Sequence, residues 1–264
     1  NFFNMNKNEI KLIFLSDMHL FSNEPFLGIH TFDSFRAVVD DIIQNQSDAS
    51  FLILGGDFVQ DQSENSYLFF KSQIARFDIP KLFTRGNHDI SDDFFESLSQ
   101  SCNFHILKND WVIYNLHTYS KGNIYGEIKD AEIENLLQEA SDKKDKFFLL
   151  FMHHNLFLTG SPWLDIHITK NRSLILKKIS TLRNIRLVIN GHIHQETINT
   201  YNDISFISSP STSFQFTSNE KKFKLDSINP GYLVVTLKEE GAWHVSCQRV
   251  AGEFGTPEAN PKTY

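Results

Sequence analysis

Residues 11–19 read Lys11-Leu12-Ile13-Phe14-Leu15-Ser16-Asp17-Met18-His19. A short apolar run of this kind predicts a buried strand, and it stops at two metal-capable side chains, Asp17 and His19. The same grammar recurs along the chain. Ser50–Gly55 (SFLILG) leads into Gly56-Asp57, and Lys81–Thr84 (KLFT) into Gly86-Asn87-His88-Asp89. Phe147–Met152 leads into His153-His154, and Arg186–Ile189 (RLVI) into Gly191-His192-Ile193-His194. Six of the eleven histidines fall in these five islands, a clustering that a random distribution would not give.

Helical patterns separate the strands. Phe35, Val38, Val39 and Ile42 recur at helical spacing, with Thr31 or Asp33 as N-cap. Glu64–Phe77 and Asn171–Leu182 read as helices, and Asp130 is placed to cap another whose apolar face is Ile133, Leu136 and Leu137. Phe104–Tyr119 predicts two strands around the turn Lys108-Asn109-Asp110, and Gly122–Ile128 a hairpin. From Glu196 onward strand patterns dominate, at Thr197–Tyr201, Ile204–Ser208, Tyr232–Leu237 and Trp243–Val250. Strands alternating with helices, followed by a strand-rich portion, predict an α/β layered sandwich with two sheets. We expect a single domain over residues 5–250 and a mobile Gly- and Pro-containing tail over 251–264. In open α/β sheets ligands collect at the carboxyl ends of strands, so five distant islands can share one pocket.

Composition narrows the partners. The 264 residues carry 25 basic and 32 acidic side chains, and this net charge of −7 argues against nucleic acid or an anionic membrane held by bulk electrostatics. No stretch approaches the ~20 apolar residues of a membrane span, and the N-terminal residues lack a secretion-signal pattern. Cys102 and Cys247 lie far apart and do not suggest a disulfide scaffold, so a reducing cytoplasm is the expected location. The 25 phenylalanines read as core material.

The islands mix hard oxygen donors with imidazole, a set that suits iron, manganese or zinc. Asp57 is the best bridge between two cations, because Gly55 and Gly56 let the backbone turn tightly beside it. Asp17 and His19 can face one metal, and His192 and His194 can serve different ones, with Asn87 and His153 completing the set. Two metals ~3.5–4 Å apart clamp a phosphoryl group and activate a bridging water, so phosphoester hydrolysis is the natural reaction. Singly, each Asp or Asn here is more often a turn or capping residue. Only their joint order makes a metal site.

That order, D-x-H, G-D, G-N-H-D, H-H and G-H-x-H, resembles the signature of calcineurin-like metallophosphoesterases, over roughly Leu12 to Val250. The resemblance implies a four-layer α/β-β/α sandwich of two mixed sheets flanked by helices, with two divalent metal ions, usually iron, manganese or zinc. It implies Asp17, His19, Asp57 and His194 around one metal, and Asp57, Asn87, His153 and His192 around the other. His88 would stabilise the transition state or protonate the leaving oxygen, with Asp89 orienting its ring. His19, Asp57, Asn87, His88 and His194 would also touch substrate. His154 reads as a packing or phosphate-contacting residue. His30, His105, His117, His167 and His244 read as ordinary surface or core residues.

Trp163-Leu164-Asp165, Gln195 after the last histidine, Pro210–Phe216 and Pro230-Gly231-Tyr232 look like the bacterial 3′,5′-cyclic AMP phosphodiesterase branch. The implied partner is a small nucleotide, with a homodimer left open because family members often dimerise. Trp163 could equally stack on a base or plug the core. Two departures stand out: Asn155-Leu156 where relatives commonly have proline, and Leu116-His117-Thr118 where they often have aspartate. Two other functions stay open on sequence: hydrolysis of another phosphodiester, 2′,3′-cyclic nucleotide or phosphomonoester, and a non-catalytic scaffold. Retention of every expected ligand argues against the scaffold.

Overall fold

Strand β1 (Ile10–Leu15) is apolar on both faces: Leu12 and Phe14 point one way and Ile13 and Leu15 the other, and all four are buried. Such a strand must be covered twice, and the fold is built around that requirement. The computed structural model describes residues 9–22, 24–98, 104–106 and 110–263. After β1 come α1 (Thr31–Asn45), β2 (Phe51–Leu54), α2 (Glu64–Ile74), β3 (Lys81–Phe83), α3 (Asp92–Leu98), β4 (Phe104–Ile106) and β5 (Trp111–Asn115). Then follow α4 (Asp130–Asp142), β6 (Phe147–Met152), α5 (Pro162–Asp165), α6 (Arg172–Ile179), β7 (Ile185–Asn190), β8 (Thr197–Tyr201) and β9 (Ile204–Ser208). The short pair β10 (Gln215–Phe216) and β11 (Leu225–Asp226) precedes β12 (Gly231–Leu237) and β13 (Trp243–Arg249).

The strands form a five-stranded sheet, ordered β13-β12-β1-β2-β3, and a six-stranded sheet, ordered β4-β5-β6-β7-β9-β8. Both are mixed. In the first, β1, β2 and β3 run parallel and β12 and β13 antiparallel. In the second, β5, β6, β7 and β9 are parallel, with antiparallel strands at both edges. The sheets face each other through one apolar layer, in which Leu12, Phe14, Ile53 and Val235 meet Trp111, Leu149, Phe151, Leu187 and Ile189. The outer face of the first sheet packs on α1 and α2 through Phe35, Val38, Val39, Ile42 and Phe70. The outer face of the second packs on α4 and α6 through Ile133, Leu136, Ile175 and Ile179. The result is the four-layer α/β-β/α sandwich expected from the sequence.

Several local expectations change. Helices α1 and α4 begin at Thr31 and Asp130 themselves, after His30 and Lys129, and neither start has a side-chain cap. The turn residues Lys108 and Asn109 lie outside the described residues. Gly122–Ile128 forms a loop of turns where a hairpin was expected, tied to its surroundings through the Ile124 and Gly126 carbonyls. Part of the 251–264 segment makes backbone contacts with the rest of the chain. His30 donates to the Phe254 carbonyl (2.7 Å), Ile29 bridges Gly255, and Glu258 donates to the Leu27 carbonyl (3.1 Å), so the segment is laid along the Leu27–His30 loop. Among the described residues no helix is long and apolar enough to cross a membrane.

Candidate metal centre

Each parallel strand that carries an island ends at the same edge of its sheet, and the five islands meet there. The backbone at this edge is forced. Asp17, His19, Asp57, His192 and His194 all have positive φ, between 43° and 71°. Non-glycine residues rarely adopt this region, and such strain persists only where the surroundings over-determine it. Close packing of the turns leaves no room elsewhere: a Cβ on Gly86 would lie 2.1 Å from Asp57 Oδ1, and one on Gly191 2.7 Å from Asp17 Oδ2.

The side chains are buried and close. His19 Nε2 lies 3.1 Å from His194 Nε2 and 3.7 Å from Asp57 Oδ2. His194 Nε2 lies 3.5 Å from Asp17 Oδ1. His153 Nε2 lies 3.1 Å from Asp57 Oδ2 and 3.3 Å from Asn87 Oδ1. Asp17, His19 and His194 converge as one group able to hold a metal ion, and Asp17, Asp57 and His153 as another. His192 joins His153 and His154 in a third. Asp57 and Asp17 therefore sit between neighbouring donor groups. Every residue expected at the metals is brought to this one place.

Outer contacts fix which ring nitrogen faces inward. Carbonyl oxygens only accept, so His153 Nδ1 donates to the Gly55 carbonyl and His194 Nδ1 to the Phe214 carbonyl, each at 2.7 Å. His19 Nδ1 donates to Gln60 Oε1 at 2.8 Å. These partners orient the imidazoles as second contacts of metal-binding histidines commonly do. The Nε2 atom of each ring then faces the cluster.

The arrangement suits a cation. His19 Nε2 and His194 Nε2 lie 3.1 Å apart, close enough for one ion to take both. A proton is a poor candidate, because burial pushes His19 down to about 3 and His194 well below its ordinary value. His192 is buried with no hydrogen-bond partner on either ring nitrogen among the described residues, and Asp57 Oδ2 is likewise unsatisfied. Buried polar atoms of this kind normally find a partner. Burial opposes ionisation of Asp57, but His153 and His88 outweigh it and hold its carboxyl well below the usual range. Burial, with Asp57 nearby, pushes Asp17 up to about 7, and Asp57 raises His153 to about 9 against the burial that opposes its charge. Divalent metals fit these donors.

Other expected residues take different positions. The Asp89 carboxylate takes three backbone amides. Its Oδ2 accepts from the amides of Asp57 (2.8 Å) and Gly86 (2.9 Å), and its Oδ1 from that of Phe58 (2.8 Å). It is a buried clamp on the turn that carries Asp57. His88 stands edge-on to His19, ring centroids 4.9 Å apart, and its amide donates to Asp57 Oδ1. His154 lies beside His192 but spends both ring nitrogens on protein: Nε2 donates to the Ile124 carbonyl, and Nδ1 pairs with the Thr118 hydroxyl at 2.8 Å. Thr118, where relatives often have aspartate, thus positions His154.

The Pro210–Phe216 motif supports the cluster from below. It runs beneath the cluster, where the Ser211 and Ser213 hydroxyls donate to the Asp17 carbonyl (2.7 and 3.0 Å) and Phe214 supplies the carbonyl that anchors His194. Phe216 stacks on His194 at 4.1 Å. Gln60 and the Gly55 and Phe214 carbonyls escaped sequence reading, because backbone acceptors leave no residue signature.

A cleft of about 770 Å³ opens from the cluster at His88. Its walls are Trp163 and His167 on one side, Lys221–Lys224 on another, and the docked tail at 259–263. Trp163 packs against Phe216 and Phe223 and also faces the cleft, so it is both plug and wall. His167, an ordinary residue by sequence, is a wall residue here.

The sequence profile described as calcineurin-like phosphoesterase matches residues 10–196. The 3′,5′-cyclic adenosine monophosphate phosphodiesterase of Haemophilus influenzae is 28% identical over 247 residues, covering 91% of this chain and 90% of its own. That of Escherichia coli K12 is 28% identical over 261 residues, covering 97% and 95%. Among solved structures, a dimetal phosphatase from Danio rerio has a TM-score of 0.65 at 10% identity, covering 92% of this chain and 99% of its own. GAP50, an anchor in the inner membrane complex of Plasmodium, has a TM-score of 0.61 at 14% identity, covering 97% and 90%. So distant a likeness speaks for the fold alone, and function has to be argued from the site.

Proposed function

We propose that this chain, which belongs to the calcineurin-like phosphoesterase family, is a dinuclear-metal phosphodiesterase that hydrolyses 3′,5′-cyclic AMP to 5′-AMP. The observation that carries the reading is the convergence of Asp17, His19, Asp57, Asn87, His153, His192 and His194 on one buried place, where both ring nitrogens of His192 have no hydrogen-bond partner among the described residues. Asp17, His19, Asp57 and His194 would hold one ion, and Asp57, Asn87, His153 and His192 the other. The substrate follows from two relatives of that named activity that match almost end to end.

Bound iron, manganese or zinc would supply Lewis-acid activation of the phosphoryl group and of the attacking water. The protein's own work is positional. His88 lines the cleft and Asn87 precedes it, both half-buried, so a phosphate entering from the cleft would meet them first. His88 is kept neutral by burial, against the pull of Asp57, and so can donate a hydrogen bond without carrying a fixed charge. Trp163 and Phe223 give the nucleoside an apolar wall. Buried walls at the cluster exclude bulk water and strengthen each electrostatic contact. A soluble cytoplasmic substrate is in keeping with the net charge of −7 and the sparse cysteines.

The test is a steady-state comparison of cyclic AMP, cyclic GMP, bis-p-nitrophenyl phosphate and a phosphomonoester with manganese-, iron- and zinc-loaded protein. We expect cyclic AMP to be converted to 5′-AMP with the highest kcat/KM. Intact cyclic AMP alongside efficient hydrolysis of another phosphodiester would refute the substrate assignment.

A further inference from the structure

We propose that His167 is a substrate-contacting residue, which hydrogen-bonds the sugar or ester oxygen flanking the scissile phosphate and so favours nucleoside over aryl phosphodiesters. This deepens the phosphodiesterase reading and rests on it.

Three observations place the residue. His167 lines the cleft together with His88 and Trp163. Its ring centroid is 6.4 Å from that of His192, so it stands one layer outside the cluster of inward-facing donors. Its side chain makes no hydrogen bond among the described residues, and Nδ1 is buried without a partner. A half-buried imidazole at a cleft wall normally spends its polar atoms on something, because leaving them unpaired costs free energy. The neighbouring His154 shows the contrast, with both ring nitrogens taken by Thr118 and Ile124.

The placement sets which part of a substrate it reaches. A phosphoryl group at the cluster would be met by Asn87 and His88. An imidazole one layer farther out meets atoms one or two bonds from phosphorus, which in a nucleotide are ester and ribose oxygens. Trp163 and Phe223 line the same cleft and offer aromatic faces to a base. The cleft thus runs from phosphate to sugar to base, with His167 at the sugar. The turn that carries it is rigid: its amide donates to the Leu164 carbonyl, and Leu164 is buried against Ile193 and Phe214.

His167→Ala and His167→Gln, both manganese-loaded, are compared with the wild type on cyclic AMP and bis-p-nitrophenyl phosphate. Calorimetric binding of 5′-AMP and of inorganic phosphate is measured alongside. We expect His167→Ala to lose about 5- to 30-fold in kcat/KM on cyclic AMP, the factor one hydrogen bond carries, and less than about twofold on the aryl diester. Affinity for 5′-AMP should fall by a similar factor while that for phosphate holds, and His167→Gln, which restores an N–H donor, should recover most of both. Manganese content should be unchanged. Equal losses on both substrates, equal losses for 5′-AMP and phosphate, or no loss at all would overturn the assignment. If the wild type leaves cyclic AMP intact, the phosphodiesterase reading fails, and the binding comparison still decides His167.

Discussion

Asp89→Asn separates two roles for one carboxylate. Its oxygens accept from the backbone amides of Asp57, Phe58 and Gly86 at 2.8–2.9 Å, all within the buried turn below the cluster. An asparagine can keep its oxygen where Oδ2 now takes two amides, but its NH2 then faces the Phe58 amide, donor against donor. One buried amide left unpaired costs about 1–3 kcal/mol, and the two surviving bonds lose their charge assistance. Together we expect about 2–4 kcal/mol, read as a shift of the urea midpoint at unchanged slope in chelator-treated protein. Because these amides hold Asp57 at φ 55°, manganese affinity should also fall, about 10- to 100-fold, as when a supporting contact of a metal ligand is removed. A variant with wild-type stability and metal affinity but low turnover would refute the clamp, and would return Asp89 to orienting His88.

Gly86→Ala puts a Cβ 2.1 Å from Asp57 Oδ1, so the turn must open; we expect about 2–3 kcal/mol of destabilisation and loss of bound manganese, checked by urea unfolding and elemental analysis. Ser211→Ala deletes a buried hydroxyl that donates to the Asp17 carbonyl and accepts from the Ser213 amide. Its cost should be about 1–2 kcal/mol, seen in the same unfolding assay, and a neutral effect would contradict the supporting role of this motif. Metal-free protein should lose stability as pH falls below about 6.5. Burial lowers His19 and His154 to about 3, and His192 and His194 well below their ordinary value, so the unfolded chain binds these protons first and their stabilisation disappears on acidification. Asp17 and Asp89, raised to about 7 by burial, and His153, raised to about 9, act in the opposite sense, but they are three groups against six, because burial lowers His88 and His167 as well. A urea midpoint that rises between pH 7 and pH 5 would reverse that sign.

The layers were legible because their strands are apolar on both faces, as in Leu12 to Leu15 and Phe148 to Met152, which leaves a sheet covered on each side as the only arrangement. The islands were legible because Asp, His and Asn concentrate where those runs stop. What the sequence hid was whatever depends on backbone atoms. The carbonyls of Gly55 and Phe214 orient two imidazoles, and any residue there offers the same oxygen. The amide partners of Asp89 were hidden for the same reason, since backbone donors leave no residue signature. Gly122 and Gly126 suggested a hairpin, but Gly126 is small because His154 lies against it; a Cβ there would be 2.5 Å from the imidazole. His167 carries no local signal, since only the fold brings it beside His88. The tail reads as loose from its composition, and three of its residues are nevertheless held by the Leu27–His30 loop.

The central claim, two cations sharing Asp57, is tested most directly by an anomalous-scattering map of a manganese-loaded crystal. Two peaks flanking the Asp57 carboxylate are predicted, one against His19 and His194 and the other against Asn87, His153 and His192. A single peak, or peaks away from Asp57, would contradict it.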